Sequence, residues 1–112
     1  RVAAPEKEAP MTVYLCCVSG FSSSIMARNL EIWLQERMEE EVLVEPASYR
    51  MMKDEGALAD IILLSPQMAW ARQELSGLFA PVPVLTVGIQ AYGLGQPDEI
   101  GREILGLAAA GL

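Results

Sequence analysis

Four short apolar segments recur along the chain, and their spacing constrains its fold more than any other feature. They lie at 12–17, 42–48, 60–64 and 83–88, are rich in Val, Ile, Leu and Thr, and are bounded by turn residues. Each is therefore predicted to be a strand. Patterns typical of helices occur at about 23–41, 50–59, 67–79 and 98–110. This alternation predicts an α/β fold in which helices cover a parallel sheet.

The first helical pattern is the clearest of the four. It places five apolar side chains on one stripe, with Ile32 outside it. The stripe consists of Met26, Leu30, Trp33, Leu34 and Met38. The second pattern is short and contains Gly56, so its helix is expected to be brief or irregular.

Right-handed crossovers leave few ways to connect four parallel strands. The most economical arrangement is a four-stranded parallel sheet of order 2-1-3-4, with helices on both faces. Strands 1 and 3 are then neighbours. Ligands of such sheets bind beyond the carboxyl ends of the strands, where the winding reverses, so the loops at 17–24 and 65–67 are expected to flank one site.

Length and charge limit the classes of function. The 112 residues suffice for one domain, and 15 acidic against 8 basic residues give a net charge of −7. Phosphate backbones require clustered Lys and Arg, so no nucleic-acid partner is predicted. No apolar stretch approaches the roughly 18 residues of a membrane span, so direct membrane insertion is not expected.

The first ten residues lack a periodic apolar pattern. Residues 1–10 are predicted to be a disordered linker or an expression remnant, and residues 11–112 to be the folded domain. Since the chain begins with Arg1, we expect an upstream domain in a longer protein.

Cys17 ends the first predicted strand and opens a Gly/Ser loop that leads into the first helix. Unpaired N–H groups at a helix N-terminus stabilise a thiolate and equally a phosphate carried on sulfur. Strand alternation assigns Cys16 to the core, whereas Cys17 is expected to turn toward the loop with its sulfur exposed. Cys17 is therefore a candidate phosphoryl carrier. The simpler alternative is that its side chain only fills the core. The predicted phosphate-binding residues are Val18, Ser19, Gly20, Phe21, Ser22, Ser23 and Ser24.

Missing residue types narrow the chemistry further. The chain has no histidine, which excludes Cys-His catalysis and His-based metal sites, and it has no Cys-x-x-Cys motif. Adjacent cysteines do not form a disulfide framework, so a reducing, cytoplasmic setting is predicted. A thiol phosphatase needs an Arg at the end of such a loop, but the nearest is Arg28 inside the helix. These observations favour phosphoryl relay over hydrolysis, and no metal or cofactor is predicted.

Two segments carry a resemblance to a known family. Tyr-Leu-Cys-Cys-Val-Ser-Gly-Phe-Ser-Ser-Ser at 14–24 and Ala-Asp-Ile-Ile-Leu-Leu-Ser-Pro-Gln-Met-Ala-Trp at 59–70 resemble the lactose/cellobiose-type B component of enzyme II. These are cytoplasmic domains of the bacterial phosphoenolpyruvate-dependent sugar phosphotransferase system. The similarity extends from about residue 11 to about residue 107 and includes Ala-Tyr-Gly at 91–93.

The resemblance implies that this chain acts between two other proteins, the A component and the C component. Cys17 would accept a phosphoryl group from a histidine of the A component and pass it to a sugar bound by the membrane-embedded C component. By position, Val18–Ser24 would bind the phosphate. The implied rim of the site consists of Ser65, Pro66, Gln67 and Tyr92. Ser65 departs from the family pattern, in which Gly is frequent, and the sugar is not readable from the sequence.

Two alternatives remain open at this point. Similar domains are attached to transcription regulators, where phosphorylation of the cysteine acts as a signal. The other alternative, a low-molecular-weight thiol phosphatase, is disfavoured by the missing Arg and would be revived only by turnover of a generic aryl phosphate. A cytoplasmic location is expected in each case, with tethering to a membrane through a fusion or the C component left open. Apolar neighbours that would exclude water during transfer are Phe21, Ile25, Met51 and Tyr92, although core packing is favoured for Ile25.

Overall fold

A computed structural model describes residues 10–18 and 24–111. Its four strands are β1 (Met11–Cys17), β2 (Val42–Ser48), β3 (Ile61–Leu64) and β4 (Val84–Thr86). The strands form one parallel sheet of order β2-β1-β3-β4, which confirms the predicted topology. The predicted linker, apart from Pro10, lies outside the described residues, as does the segment from Ser19 to Ser23.

Five α-helices are described. They are α1 (Ser24–Gln35), α2 (Tyr49–Glu55), α3 (Arg72–Phe79), α4 (Ile89–Leu94) and α5 (Asp98–Ala109). Two 3₁₀ helices, Gly56–Leu58 and Pro66–Ala71, follow α2 and precede α3. The predicted second and third helices therefore each consist of an α-helix and a 3₁₀ segment.

The sheet separates two apolar clusters, one on each face. The face covered by α1 and α5 buries Val13 and Leu15 of β1 with Leu30 and Ile104 of the helices. The opposite face, covered by α2, α3 and Pro66–Ala71, buries Tyr14 and Cys16 of the same strand. Successive strand side chains point to opposite faces, which explains why β1 and β3 are apolar along almost their whole length.

The predicted stripe of the first helix is confirmed, but its predicted end is not. Met26, Leu30 and Leu34 are buried, and Ile32 is exposed. The helix ends at Gln35 and not at residue 41, because the chain turns back toward β2 there. The Gln35 side chain joins both ends of this turn, donating to Glu40 O at 2.9 Å and accepting from Val42 N at 2.9 Å.

Side chains of α1 also protect the exposed edge of the sheet. β2 is an edge strand, and its N–H groups at 42 and 44 donate to Gln35 Oε1 and Glu31 Oε1. The next residue in this alternation is Pro46, which has no N–H. Unpaired edge N–H groups invite pairing with other chains, so this edge is blocked along most of its length.

Candidate functional site

The carboxyl ends of the strands meet at one edge of the sheet, and Cys17 is the last residue of the central strand β1. β1 lies between β2 and β3, so its end is flanked on both sides. Val18, which follows, is 68% exposed, whereas the Cys17 side chain retains 2% exposure. The chain thus leaves the interior immediately after Cys17.

The burial of Cys17 corrects one expectation from the sequence. A sulfur exposed at the surface was expected, but the thiol is covered. The physical reason is that β2 extends to Ser48, the register partner of Cys17, while the chain of β3 continues past Leu64, the partner of Cys16. A side chain at the end of the central strand therefore has neighbours on both sides.

Cys16 lies in the core, as predicted from strand alternation. It is fully buried within the cluster on the α2 and α3 face. Burial raises the pKa of the Cys16 thiol from 9.0 to about 12, and the negative charge of an ionised Cys17 adds to the increase. Cys16 therefore stays protonated at neutral pH and is not a nucleophile.

Most of the predicted phosphate-binding loop lies outside the described residues. Ser19, Gly20, Phe21, Ser22 and Ser23 belong to that part, so their predicted role stays a prediction. The two ends of the loop are described: Val18 is exposed, and Ser24 is the exposed first residue of α1. The strand before the predicted loop and the helix after it are therefore both described.

The predicted rim residues follow β3 and β4 at the same edge of the sheet. Ser65 is fully buried, Pro66 is half-buried and Gln67 is exposed. Ser65 N donates to Cys16 O at 2.9 Å, which joins this segment to the end of β1. Tyr92 is half-buried in α4 and packs against the cluster on the α1 and α5 face.

Helix α4 was not predicted from the sequence, and it contributes to the same edge. Asn29 Nδ2 of α1 donates to Gly95 O at 2.8 Å, so the end of α4 is held against α1. Gly95 has φ of +65°, a left-handed conformation that favours glycine at a helix end. The only sequence signal for this helix end was Gly95 itself.

Four exposed apolar side chains lie in the segments that follow β1 and β4 and in the first turn of α1. They are Val18, Ile25, Ile89 and Leu94, and we call them the apolar rim. Ile25 was expected to pack in the core, but it is exposed, because it lies off the buried stripe in the first turn of α1. Met51 is partly buried against the cluster on the α2 and α3 face and does not belong to the apolar rim.

A second cluster joins α2, Pro66–Ala71 and α3, and consists of half-buried Tyr49 with exposed Lys53, Trp70 and Glu74. Tyr49 and Trp70 have ring centroids 5.2 Å apart, and Glu74 accepts from Tyr49 at 2.5 Å and from Lys53 at 2.8 Å. The hydrogen bond from Lys53 lowers the pKa of Glu74, and the bond to Glu74 raises the pKa of Tyr49. These side chains are solvated and hold α2 against α3.

The described residues contain neither a metal centre nor a membrane span. Across 10–18 and 24–111, no three Cys, Asp or Glu side chains come together in a group that could hold a metal ion. In the same part of the chain, no helix has the length and apolar character required to cross a bilayer.

Comparison with known families identifies the chain. Residues 12–103 match the family described as PTS system, Lactose/Cellobiose specific IIB subunit, and the chain belongs to this family. This confirms the resemblance carried by the segments at 14–24 and 59–70. The protein is therefore a component of a sugar phosphotransferase system, a class of transferases that acts in phosphoryl transfer to sugars.

Two solved structures have the same fold. The lactose-specific IIB component domain from Streptococcus pneumoniae is 17% identical, with a TM-score of 0.69, over 87% of this chain and 96% of that chain. The cellobiose-specific IIB component from Borrelia burgdorferi is 21% identical, with a TM-score of 0.62, over 91% of each chain. At these identities the likeness shows the fold alone.

Proposed function

We propose that Cys17 is a phosphoryl carrier between two other components of the system. It accepts the group from a phosphohistidine of the A component and passes it to a sugar bound by the membrane-embedded C component. The observation that carries this proposal is the position of Cys17, in a chain of this family, as the last residue of the central strand before the exit at Val18.

The proposed reaction consists of two displacements at phosphorus. In the first, the Cys17 thiolate attacks, the S–P bond forms, and the P–N bond breaks with its electron pair left on the imidazole. In the second, a sugar hydroxyl oxygen attacks, the O–P bond forms, and the S–P bond breaks to return the thiolate. The hydroxyl proton leaves to solvent or to a base of the C component.

The surroundings of Cys17 support transfer between proteins over hydrolysis. The thiol is covered in this structure, so both water and the phosphohistidine of a partner reach the sulfur only when the residues that cover it move. The exposed side chains of the apolar rim are available to a partner, and Val18 lies at the point where the chain exits. Arg28, the nearest guanidinium to the loop in sequence, is exposed in α1.

The proposal is tested by phosphorylation in a reconstituted system. The full chain is incubated with phosphoenolpyruvate, the two general phosphotransferase proteins and the A component, and the phosphate is located by mass spectrometry. Cys17→Ser is expected to abolish labelling of the thiol, whereas the matched control Cys16→Ser retains it. Label on a residue other than Cys17, or equal behaviour of the two variants, would contradict the assignment.

The second displacement is tested separately. Membranes that contain the C component and a labelled β-glucoside, chitobiose or lactose are added to the phosphorylated protein, and sugar phosphate is measured. Phosphate is expected to move from Cys17 to the sugar. Stable phosphocysteine without any transfer would instead favour the regulatory alternative.

A further inference from the structure

One serine ends the neighbouring strand β2 and another directly follows the neighbouring strand β3, and their hydroxyl groups have different roles. Ser48 is the register partner of Cys17 on β2. Ser65 directly follows Leu64, the register partner of Cys16 on β3. Each serine is also the N-cap of the helix that follows, α2 for Ser48 and Pro66–Ala71 for Ser65.

Only Ser48 uses its hydroxyl as a cap. Ser48 Oγ accepts a hydrogen bond from Met51 N at 3.2 Å. Ser65 makes no side-chain cap bond, and its backbone oxygen accepts from Met68 N at 2.9 Å. The Ser65 hydroxyl is therefore not required to begin its helix.

In the described part of the chain, the buried Ser65 hydroxyl has no hydrogen-bond partner. The residue has 0% exposure, and within residues 10–18 and 24–111 no group forms a hydrogen bond with Ser65 Oγ. Buried hydroxyl groups nearly always have a partner, because an unpaired one loses its hydration without compensation. A buried, unpaired donor next to a functional site indicates a ligand that is bound at another stage of the reaction.

Strand alternation places this hydroxyl on the same face as Cys17. Cys16 and Leu64 are register partners and both lie in the cluster on the α2 and α3 face. The next residue on each strand points to the opposite face, and Ser65 keeps extended backbone angles, φ −63° and ψ 159°. Ser65 N donates to Cys16 O at 2.9 Å, so the pairing with β1 continues one residue past β3 and Ser65 lies beside Cys17.

We propose that Ser65 Oγ–H donates a hydrogen bond to an oxygen of the phosphoryl group carried on Cys17. This inference rests on the proposed function and adds a phosphoryl-binding residue directly after β3, outside the loop between β1 and α1. The Cys17 thiol is only a weak acceptor. Before phosphorylation, Ser65 Oγ–H therefore has no good acceptor among the described residues. Phosphoryl oxygens are charged acceptors that form strong hydrogen bonds, and they arrive where this donor lies.

The test measures how the phosphoryl group is shared between the A component and Cys17. Loss of one hydrogen bond to a charged group changes such an equilibrium by about tenfold or more. Ser65→Ala and Ser65→Gly are therefore expected to lower the equilibrium constant for phosphoryl transfer from the A component to Cys17 by about tenfold. The phosphorus NMR signal of the phosphocysteine is expected to shift in both variants.

A stability measurement distinguishes binding from a structural role. In the unphosphorylated protein, Ser65→Ala removes an unpaired buried hydroxyl, so its denaturation midpoint is expected to stay the same or rise. The matched control Ser48→Ala removes a cap, so its midpoint is expected to fall while the phosphorylated fraction of Cys17 is unchanged.

The outcomes separate the two proposals. If the unaltered protein is phosphorylated on Cys17 and both Ser65 variants match it, the role of Ser65 is overturned and the proposed function stands. The role is also overturned if the Ser65 variants lose phosphate only in proportion to a lower midpoint, or if Ser48→Ala has the same effect. If the unaltered protein is not phosphorylated on Cys17, both proposals fail.

Discussion

The two faces of the sheet are built alike in their interiors but differ at the carboxyl edge. Each face holds an apolar cluster, and on each a glycine lies against an aromatic ring, Gly101 against Trp33 and Gly56 against Phe79. At the edge, Cys16 belongs to the α2 and α3 face, whereas Cys17 follows the alternation of Leu15 to the α1 and α5 face.

This comparison shows that burial does not distinguish a structural cysteine from a candidate nucleophile. The two adjacent thiols are almost equally covered. They differ in their neighbours, because Cys16 is enclosed by apolar side chains of its cluster and Cys17 precedes an exposed residue. Position relative to the end of β1 therefore distinguishes the candidate nucleophile Cys17 from the structural Cys16.

The largest expected effect concerns the ionisation of Cys16. The folded state keeps its thiol protonated to about pH 12, whereas the unfolded thiol ionises above about pH 9. The unfolded state then binds fewer protons, so stability falls as pH rises above 9, by about 1.4 kcal/mol per pH unit and on the order of 4 kcal/mol by pH 12. Urea denaturation between pH 8 and about pH 11 measures this slope.

Cys16→Ala provides the control for this slope. The variant lacks the thiol but keeps the tyrosines, including Tyr14, whose pKa is also raised by burial. Its alkaline slope should be shallower by the Cys16 contribution. A slope equal to that of the unaltered protein would show that the Cys16 thiol ionises in the folded state.

The next largest effect is expected where Gly101 of α5 packs against the Trp33 ring of α1. An ideal Cβ at Gly101 would lie 2.5 Å from the Trp33 ring, so Gly101→Ala is expected to destabilise the fold by about 1–3 kcal/mol. Gly106 lies in the same helix with nothing within 4 Å, and Gly106→Ala should stabilise by up to about 1 kcal/mol. Thermal denaturation of both variants measures the contrast.

Two glycines on the α2 and α3 face, Gly56 and Gly77, provide the same contrast. A Cβ at Gly56 would lie 2.6 Å from the Phe79 ring, whereas a Cβ at Gly77 meets nothing within 4 Å. Gly56→Ala is expected to cost about 1–3 kcal/mol, and Gly77→Ala to be neutral or stabilising. If all four variants had equal stability, close packing of the helices would not explain these glycines.

The smallest expected effect concerns the protected edge of the sheet. Glu31→Ala removes the acceptor of Val44 N and is expected to cost about 1 kcal/mol, with faster hydrogen exchange at that amide. Glu31→Gln keeps an oxygen at the same place and is the matched control. Equal exchange rates in the two variants would argue against this hydrogen bond.

Local sequence patterns predicted most of the architecture. The strands begin and end within one or two residues of the predicted bounds, and β2 agrees at both ends. Their order follows from right-handed crossovers, which are a general property of parallel sheets. Cys16 was placed in the core by alternation alone, since the side-chain period of a strand is fixed at two.

Each error has an identifiable physical cause. α4 has six residues and contains Gly93, so it is too short and too weakly helical to show a periodic pattern. Its end is fixed by Asn29, which is 66 residues away in sequence. Similarly, α1 ends early because Gln35 bonds to the returning chain at Val42.

The sequence by itself determined the parallel sheet, its strand order, the burial of Cys16 and membership of the family, because these depend on periodicity and on motifs within short segments. Only the tertiary structure decided that Cys17 is covered, that Ile25 is exposed, and that Ser65 is buried without a hydrogen-bond partner among the described residues. Burial and hydrogen-bond satisfaction depend on which distant segments pack together, and no local pattern specifies those contacts.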